Sequence, residues 1–349
     1  MQGYLDAVRQ QMRQLANSPE IQSLSFATIF FGGGTPSLLA TDALAGLLDD
    51  CRSLFPCDAG PLEISIEVNP GTIDSEGLVR LRKAGFNRLS LGVQSLVDEE
   101  LIGLGRIHDR AAALEIYAAG VNAGFDNLSL DLMYGLPGQT PSSWRRSLEQ
   151  ALALHPNHLS LYELTVEEGT PFSLQSSQGN LPLPGEEEVL AMMAIIEDLT
   201  GSAGLHRYEI SNYAELGREC RHNCNYWHNG FYLGFGPGAV SAFNGWRKTA
   251  TADLAAFCQG VAAGGNIWIE AEQLDREAAF RETVVMGLRM LAGVSIKELQ
   301  ARFGLEPISY YGPVVTQLCQ QGLLACREDH LMLTAQGLPL ANQVMAQLV

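Results

Sequence analysis

Residues 127–141 read Asn-Leu-Ser-Leu-Asp-Leu-Met-Tyr-Gly-Leu-Pro-Gly-Gln-Thr-Pro, a short apolar run followed by a turn rich in glycine and proline. The run predicts a buried β-strand at residues 127–132, and Pro141 predicts the first turn of a helix that continues to residue 153. The same order of strand, turn and helix recurs from residue 26 onward. Apolar strands that alternate with amphipathic helices are typical of a parallel sheet with crossover helices. This pattern therefore predicts an α/β fold that forms a barrel or part of one.

The other segments with this pattern follow at similar spacing. The predicted strands cover residues 26–31, 62–68, 88–93, 127–132, 158–164 and 207–211. The predicted helices between them cover residues 41–53, 74–84, 110–123, 141–153 and 186–203. The stretch at residues 173–184, rich in Ser, Gln, Gly and Pro, predicts a loop.

The pattern changes after about residue 250. Ser295 is placed to cap a helix over residues 296–304, a second helix is predicted at residues 311–321, and a hairpin is predicted around residues 327–330. These elements predict a small α+β, winged-helix-like domain at residues 271–349. It would follow a partial barrel at residues 1–215 and a connecting region at residues 216–270. Acidic residues outnumber basic ones in the last domain, which favours a packing or substrate-covering role over DNA recognition.

Composition narrows the class of protein. The 349 residues are 46% hydrophobic, enough for a large core, and carry a formal net charge of −17, which disfavours a nucleic-acid partner. No run of eighteen apolar residues is present, and the first residues are polar and amphipathic, so neither a membrane span nor a secretion signal is expected. Seven scattered cysteines indicate reduced thiols rather than a disulfide framework. We expect a cytoplasmic protein.

Polar and glycine residues gather where the predicted strands end. In a parallel barrel, the loops after the strands carry the functional residues. Three consecutive glycines at residues 32–34 would let a ligand approach the backbone, although a tight turn explains them equally well. Carboxylate and amide side chains at Glu67, Gln94 and Asp131 are suited to accept bonds from an ammonium or from ribose hydroxyls, although each alone could cap a helix. Arg106 could clamp a carboxylate, or lie on the surface.

These motifs carry a family resemblance. The segments GGGTPS, IEVNPG, GVQS, LGRIH, LDLMYGLPGQT and HNCNYW occur in this order along nearly the whole chain. In order and spacing they resemble the radical-SAM subgroup that contains oxygen-independent coproporphyrinogen III oxidases and HemW-type haem chaperones. The resemblance implies a partial (β/α)6 TIM-type barrel with a C-terminal region that covers its open side. It also implies S-adenosylmethionine (SAM) as a cofactor, bound at Gly33, Gly34, Thr35, Glu67, Gln94, Arg106 and Asp131, with Glu163 as a further contact.

The resemblance also implies a [4Fe–4S] cluster held by a C-x3-C-x2-C loop after the first strand, and here the sequence departs from the family. The cysteines are Cys51, Cys57, Cys220, Cys224, Cys258, Cys319 and Cys326, and no three of them have this spacing. The first residues form a helical apolar stripe that would face a strand absent from the chain. We therefore expect a barrel that lacks its first strand and cluster loop, through a shortened sequence rather than natural loss of the cluster.

A second motif lies at residues 220–227, where Cys-Arg-His-Asn-Cys-Asn-Tyr-Trp precedes a glycine-rich loop. An imidazole can ligate haem iron and aromatic rings can pack on a porphyrin, but a histidine in a polar loop more often makes hydrogen bonds alone. HNxxYW is the signature of HemW-type chaperones, so the resemblance implies haem binding at His222, Asn223, Tyr226 and Trp227, with His222 as the iron ligand.

The resulting hypothesis is a haem chaperone, not an enzyme, that transfers haem to acceptor haemoproteins such as respiratory enzymes. The resemblance leaves a homodimer open. The alternative is an oxygen-independent coproporphyrinogen III oxidase, a radical-SAM oxidoreductase of porphyrin biosynthesis. That chemistry requires a reduced cluster beside SAM, so we expect no turnover by this chain. A winged-helix DNA regulator is disfavoured by the acidic charge.

Overall fold

The computed structural model describes residues 2–349. The helices are α1 (Gln2–Ala16), α2 (Pro19–Gln22), α3 (Thr41–Leu54), α4 (Ser75–Ala84), α5 (Asp98–Gly103), α6 (Arg110–Asn122), α7 (Pro141–Leu152), α8 (Pro171–Ser177), α9 (Glu186–Ser202), α10 (Arg221–Trp227), α11 (Leu254–Ala262), α12 (Arg276–Gly287), α13 (Ile296–Phe303), α14 (Pro307–Tyr311), α15 (Pro313–Gln320) and α16 (Ala341–Met345). The strands are β1 (Thr28–Phe31), β2 (Glu63–Val68), β3 (Arg88–Gln94), β4 (Leu128–Tyr134), β5 (His158–Glu163), β6 (His206–Arg207), β7 (Asn212–Ala214), β8 (Val240–Phe243), β9 (Trp246–Ala250), β10 (Trp268–Gln273), β11 (Val294–Ser295), β12 (Leu324–Arg327) and β13 (His330–Leu333).

The largest sheet has seven strands in the order β1-β2-β3-β4-β5-β7-β6. Strands β2 to β5 pair in parallel, and a helix precedes each of them in the chain. Their apolar residues Ile66, Leu89 and Leu132 have no exposed surface, because each lies on the sheet face that the helices cover. The predicted α/β fold with parallel strands is confirmed.

The predicted sixth strand at residues 207–211 is wrong. The chain instead turns back between β6 and β7, and β7 pairs antiparallel with β5. The turn depends on Glu209, whose carboxylate accepts hydrogen bonds from the Ser211 backbone N–H at 2.8 Å and from Asn212 Nδ2 at 2.5 Å. These buried hydrogen bonds stabilise a reversal of the backbone in a segment whose sequence pattern is typical of a strand.

Three local predictions also need correction. Residues 173–177, predicted as loop, belong to α8, because Thr170 caps this helix and Pro171 opens it. The single helix predicted at residues 311–321 is broken at Gly312, whose φ of 52° no helix accommodates. The histidine–aromatic segment expected as a loop is the short helix α10.

The chain divides into two compact units. One contains residues 29–41 and 63–219, with most of the seven-stranded sheet. The other contains residues up to 28, residues 42–62 and residues 220–349, and it includes the sheets β10-β9-β8 and β11-β13-β12. In this unit Ser295 caps α13 by accepting from the Glu298 N–H, and β12 and β13 form an antiparallel hairpin, as predicted. Within the described part of the chain, no helix has the length and apolar character that a membrane crossing requires.

Candidate functional site

The first candidate site lies in the unit built on the parallel strands, where the loop after β1 meets the end of β2. The Gly33 N–H donates to Glu67 Oε2 at 3.1 Å. Gly33 and Gly34 have φ angles of 77° and 59°, a backbone conformation that favours glycine. The glycine loop is therefore turned so that the Gly33 N–H faces a carboxylate.

Asn69 ties the same two loops together. Its Nδ2 atom donates to Thr35 Oγ1 at 3.1 Å, and Ser37 Oγ lies 2.6 Å from Thr72 Oγ1. The neighbouring strand must leave room for Asn69, since a Cβ added to Gly92 would lie 2.4 Å from Asn69 Oδ1. Gly92 is thus required by close approach of a side chain rather than by its own backbone conformation.

Gln94 ends β3 in an unusual conformation. Its φ is 67°, and the pairing of β3 with β4 shifts register between Leu91 and Gln94. A non-glycine residue in the left-handed region costs about 1–3 kcal/mol, and such residues cluster at functional sites. The bulge re-aims the Gln94 side chain, whose Nε2 would lie 3.2 Å from a Cβ at Gly92.

Two carboxylates of this site are buried, and both have raised pKa values. Burial raises the pKa of Glu67, and the negative charge of Asp131 raises it further. Burial also raises the pKa of Asp131, against hydrogen bonds from serine hydroxyls and the charge of Arg88, which lower it. A ligand that brings positive charge to this position would relieve the repulsion.

The segment that contains Arg106 is anchored at the end of β3 by His108. The buried His108 ring lies with Nε2 3.1 Å from the Val93 carbonyl oxygen, which fixes the LGRIH segment to the end of β3. Burial lowers the pKa of the Arg106 guanidinium, and no described carboxylate offsets that effect. A carboxylate ligand would supply the missing counter-charge. Glu163, the last residue of β5, is placed beside β4 because the Leu164 N–H donates to the Tyr134 carbonyl oxygen.

The structure also reveals a buried polar row that sequence reasoning missed. Glu67, Ser90, Ser129 and His158 are successive register partners across β2, β3, β4 and β5. Ser90 Oγ and Ser129 Oγ both donate to Asp131 at about 3.0 Å. The signal is present in the sequence, because strands that read Ile-Ser-Ile and Leu-Ser-Leu place small hydroxyls on one face and apolar side chains on the other.

The second candidate site lies in the other unit, on α10. His222 Nδ1 lies 2.8 Å from Thr28 Oγ1, and His222 Nε2 lies 3.0 Å from the Tyr226 hydroxyl. The rings of Tyr226 and Tyr232 meet edge to face, with centroids 4.6 Å apart. Burial raises the pKa of Tyr226 to about 12, so its hydroxyl stays protonated. The imidazole therefore has a hydroxyl partner at each nitrogen, of which Thr28 was not foreseen.

Trp227 and Asn223 lie half-buried on the same helix. The Arg289 guanidinium carbon lies 4.3 Å from the centroid of the Trp227 ring, so one indole face is covered by a cation. The Trp227 Nε1 atom is buried and has no hydrogen-bond partner among the described residues. A flat ligand could pack only on the other face of the indole.

The motifs imply three bound groups: SAM, an iron–sulfur cluster and haem. The residues present suit these groups to different degrees. Two carboxylates, a guanidinium and turned glycines fit a zwitterionic, positively charged nucleoside such as SAM. The residues from 2 to 349 contain no set of three His, Cys, Asp or Glu side chains arranged to hold a metal ion, so they do not fit a cluster. The His222 ring fits an iron ligand only if the Tyr226 or Thr28 hydroxyl gives up its nitrogen.

Comparison with known proteins agrees with the fold. The family model of the radical SAM superfamily matches residues 13–151, and that of the HemN C-terminal domain matches residues 274–340. The solved structure of HemN from Escherichia coli, described as coproporphyrinogen III oxidase and a radical SAM enzyme, has a TM-score of 0.84 at 25% identity and covers 99% of this chain and 82% of its own. The chain is therefore an α/β protein of the radical-SAM class.

Curated relatives narrow the class. The haem chaperone HemW of Bacillus subtilis is 35% identical over 98% of this chain and 89% of its own length. The haem chaperone HemW of Escherichia coli is 36% identical over 93% of this chain and 84% of its own length. This chain belongs to the HemW family. The radical-SAM class implies SAM and a [4Fe–4S] cluster as the family's cofactors.

Proposed function

We propose that this protein is a haem chaperone, which binds haem at the α10 segment and delivers it to acceptor haemoproteins such as respiratory enzymes. The observation that carries the proposal is the position of His222, held between Thr28 and Tyr226 beside an aromatic cluster in a chain of the HemW family. We propose that the protein acts in the cytoplasm. A homodimer is compatible with this function.

The residues of α10 support distinct roles. Thr28 orients the imidazole through Nδ1, which leaves Nε2 as the atom directed toward iron. The Tyr226 hydroxyl occupies Nε2 through a hydrogen bond, and this bond would break when haem binds. Trp227 would offer the indole face opposite Arg289, and Asn223 would offer a polar amide on the same helix. Haem supplies the cargo, and the chain supplies a nitrogen ligand and flat apolar surface.

We further propose that the first site binds SAM. Glu67, Gln94 and Asp131 would accept bonds from the ammonium and ribose groups, while Arg106 would pair with the carboxylate. The turned backbone of Gly33 and Gly34, together with Thr35, would line the adenosine side. SAM would regulate haem transfer rather than drive an oxidation. We derive no step through a cluster, since the described residues do not fit one.

We also propose a division of the chain into three regions. A partial (β/α)6 barrel at residues 1–215 is supported by the parallel order of β2 to β5. A connecting region at residues 216–270 carries α10. A winged-helix-like domain at residues 271–349 is supported by α13 and α15 followed by the β12–β13 hairpin.

Haemin titration tests the proposed function. We expect a saturable Soret shift with the wild-type protein and a weaker, altered shift with His222→Ala. The matched control is His228→Ala, because His228 is an exposed histidine just beyond the same helix. No shift with the wild type, or the same shift with His222→Ala, would contradict the proposal.

The oxidase alternative is favoured by the structural likeness to HemN. It predicts anaerobic conversion of coproporphyrinogen III to protoporphyrinogen, which the chaperone proposal does not. Assaying this chain under reducing conditions with SAM separates the two. We expect no product, and detectable product would favour the enzyme.

A further inference from the structure

A chain of hydrogen bonds runs through the polar row of the seven-stranded sheet. Ser129 Oγ donates to Asp131 Oδ1 at 3.0 Å, and it also lies 2.8 Å from His158 Nδ1. His158 Nε2 lies 2.8 Å from the Tyr208 hydroxyl. Asp131, Ser129 and His158 belong to strands β4 and β5, and Tyr208 lies between β6 and β7.

The directions of these bonds are linked. Ser129 has one hydroxyl proton, so when it donates to Asp131 it must accept from His158 Nδ1–H. His158 has no exposed surface, and burial together with the charge of Arg88 lowers its pKa well below the usual value. A neutral ring that donates from Nδ1 can only accept at Nε2, so the Tyr208 O–H donates to it. Each hydrogen bond in this series, from Tyr208 through His158 and Ser129, then donates in the direction of Asp131.

We propose that Tyr208, His158 and Ser129 form a proton relay that sets the charge of Asp131 and so controls SAM binding at the first site. The inference rests on the proposed SAM-binding role of Asp131. Ser129, His158 and Tyr208 are positioning residues in it, since they act through Asp131 rather than on the ligand.

The relay conserves protons at each step. A solvent proton binds the Tyr208 oxygen while Tyr208 gives its own proton to His158 Nε2. His158 gives the Nδ1 proton to Ser129, and Ser129 gives its proton to Asp131. One solvent proton has then been taken up, Asp131 is neutral, and His158 carries its proton on Nε2. Tyr208 is half-buried, so it is the member suited to exchange with solvent, whereas His158 and Ser129 are enclosed.

Other charged groups around Asp131 act on the same equilibrium. Arg88 on β3 favours the ionised Asp131 carboxylate, and an ionised Asp131 in turn raises the pKa of Glu67 on β2. Tyr162 on β5 is coupled to Asp131 electrostatically but stays protonated, because burial raises its pKa. Burial, and after it the charge of Arg88, lowers the pKa of His158, so that ring stays neutral. Asp131 and the His158 tautomer are therefore the parts of this group that change together when a proton moves along the relay.

The test compares two buried serines. Ser129→Ala removes a member of the relay, whereas Ser65→Ala removes an equally buried hydroxyl on β2 that has no partner among the described residues. SAM affinity is measured by NMR titration across a pH series. Loss of one hydrogen bond to a carboxylate should raise the midpoint of the pH profile by about one unit in Ser129→Ala. Ser65→Ala should keep the wild-type midpoint, and Ser129→Thr should restore it.

A second readout needs no SAM. The 15N shifts of His158 in the ligand-free protein report its tautomer, which we expect to be Nδ1–H near neutral pH and Nε2–H after Asp131 is protonated. A fixed tautomer across that range, or equal midpoints in Ser129→Ala and Ser65→Ala, would overturn the relay. Absence of SAM binding by the wild type with a switching tautomer would instead refute the proposed SAM site and leave the relay standing as a proton path.

Discussion

His222 Nε2 and the Tyr226 hydroxyl lie 3.0 Å apart, one helical turn from each other on α10. Since Thr28 holds the other nitrogen, iron can bind Nε2 only after the tyrosine hydroxyl has moved. Tyr226→Phe removes this competition and keeps the ring that packs on Tyr232. A net hydrogen bond of about 1 kcal/mol corresponds to about fivefold tighter haemin binding in Tyr226→Phe, measured by Soret titration.

The matched control for this prediction is Tyr232→Phe. Its ring packs on Tyr226 in the same aromatic cluster, and its hydroxyl bonds Arg247. We expect its haemin affinity to stay at the wild-type value. Weaker haemin binding in Tyr226→Phe would mean that the hydroxyl contacts haem rather than covers the histidine.

Thr28→Val should have the opposite effect. Valine has nearly the shape of threonine but cannot hydrogen-bond to His222 Nδ1, so the imidazole loses the contact that fixes its orientation. We expect about fivefold weaker haemin binding, from the same hydrogen-bond energy. Thr28→Ser, which keeps the hydroxyl, should bind as the wild type does. Equal affinity of the valine and serine variants would show that Thr28 does not orient the ligand.

Gly92→Ala tests the packing that positions Asn69. The added Cβ would lie 2.4 Å from Asn69 Oδ1, so the amide must shift away from Thr35. Overpacking of this kind costs about 2 kcal/mol of unfolding free energy, and we also expect SAM binding to weaken. Denaturant unfolding and NMR titration measure the two effects. Gly103→Ala, at an open position in α5, is the control: it should leave SAM binding unchanged and should not lower the unfolding free energy, because alanine favours a helix more than glycine does.

Glu67→Gln should change how stability depends on pH. Because burial and Asp131 raise the pKa of Glu67, the folded state holds its proton more tightly than the unfolded state does. The stability from Glu67 is therefore complete below the ordinary carboxyl pKa and is lost as pH rises through the raised value. Glutamine removes this loss, so the variant should gain stability relative to the wild type as pH rises. Urea unfolding at a series of pH values measures it.

The control for the pH experiment is Glu115→Gln, an exposed position on α6. It should follow the wild-type curve. A constant difference between Glu67→Gln and the wild type at every pH would mean that the Glu67 carboxyl titrates alike in the folded and unfolded states.

The parallel strands were predictable because each is a short apolar run bounded by turn residues. Strand β4 shows this best, since its alternating leucines and polar residues also mark the two faces of the sheet. The turn between β6 and β7 was not predictable, because the carboxylate of Glu209 binds backbone and amide groups that only the fold brings to it. The start of α8, by contrast, could have been predicted from Thr170 and Pro171, which are typical of a helix N-terminus. The Ser, Gln, Gly and Pro residues that follow led instead to the prediction of a loop.

In the candidate sites, too, some residues could be predicted from the sequence and others could not. Gly33, Glu67, Gln94 and Asp131 could be found because each lies at or just after the end of a predicted strand, and the structure brings these strand ends to one region. Thr28 lies 194 residues from His222 in the chain, so no local pattern links them. The polar row through Ser129 and His158 depends on strand register, which periodicity alone does not fix.

Delivery of haem by this protein is tested most directly by the rate at which haem leaves it. The haem-loaded protein is mixed either with the apo form of a respiratory haem enzyme or with apo-myoglobin as a passive scavenger. We predict that haem leaves faster with the respiratory acceptor, at a rate that rises with acceptor concentration. Equal rates with both acceptors, independent of their concentration, would mean simple dissociation and would contradict the claim.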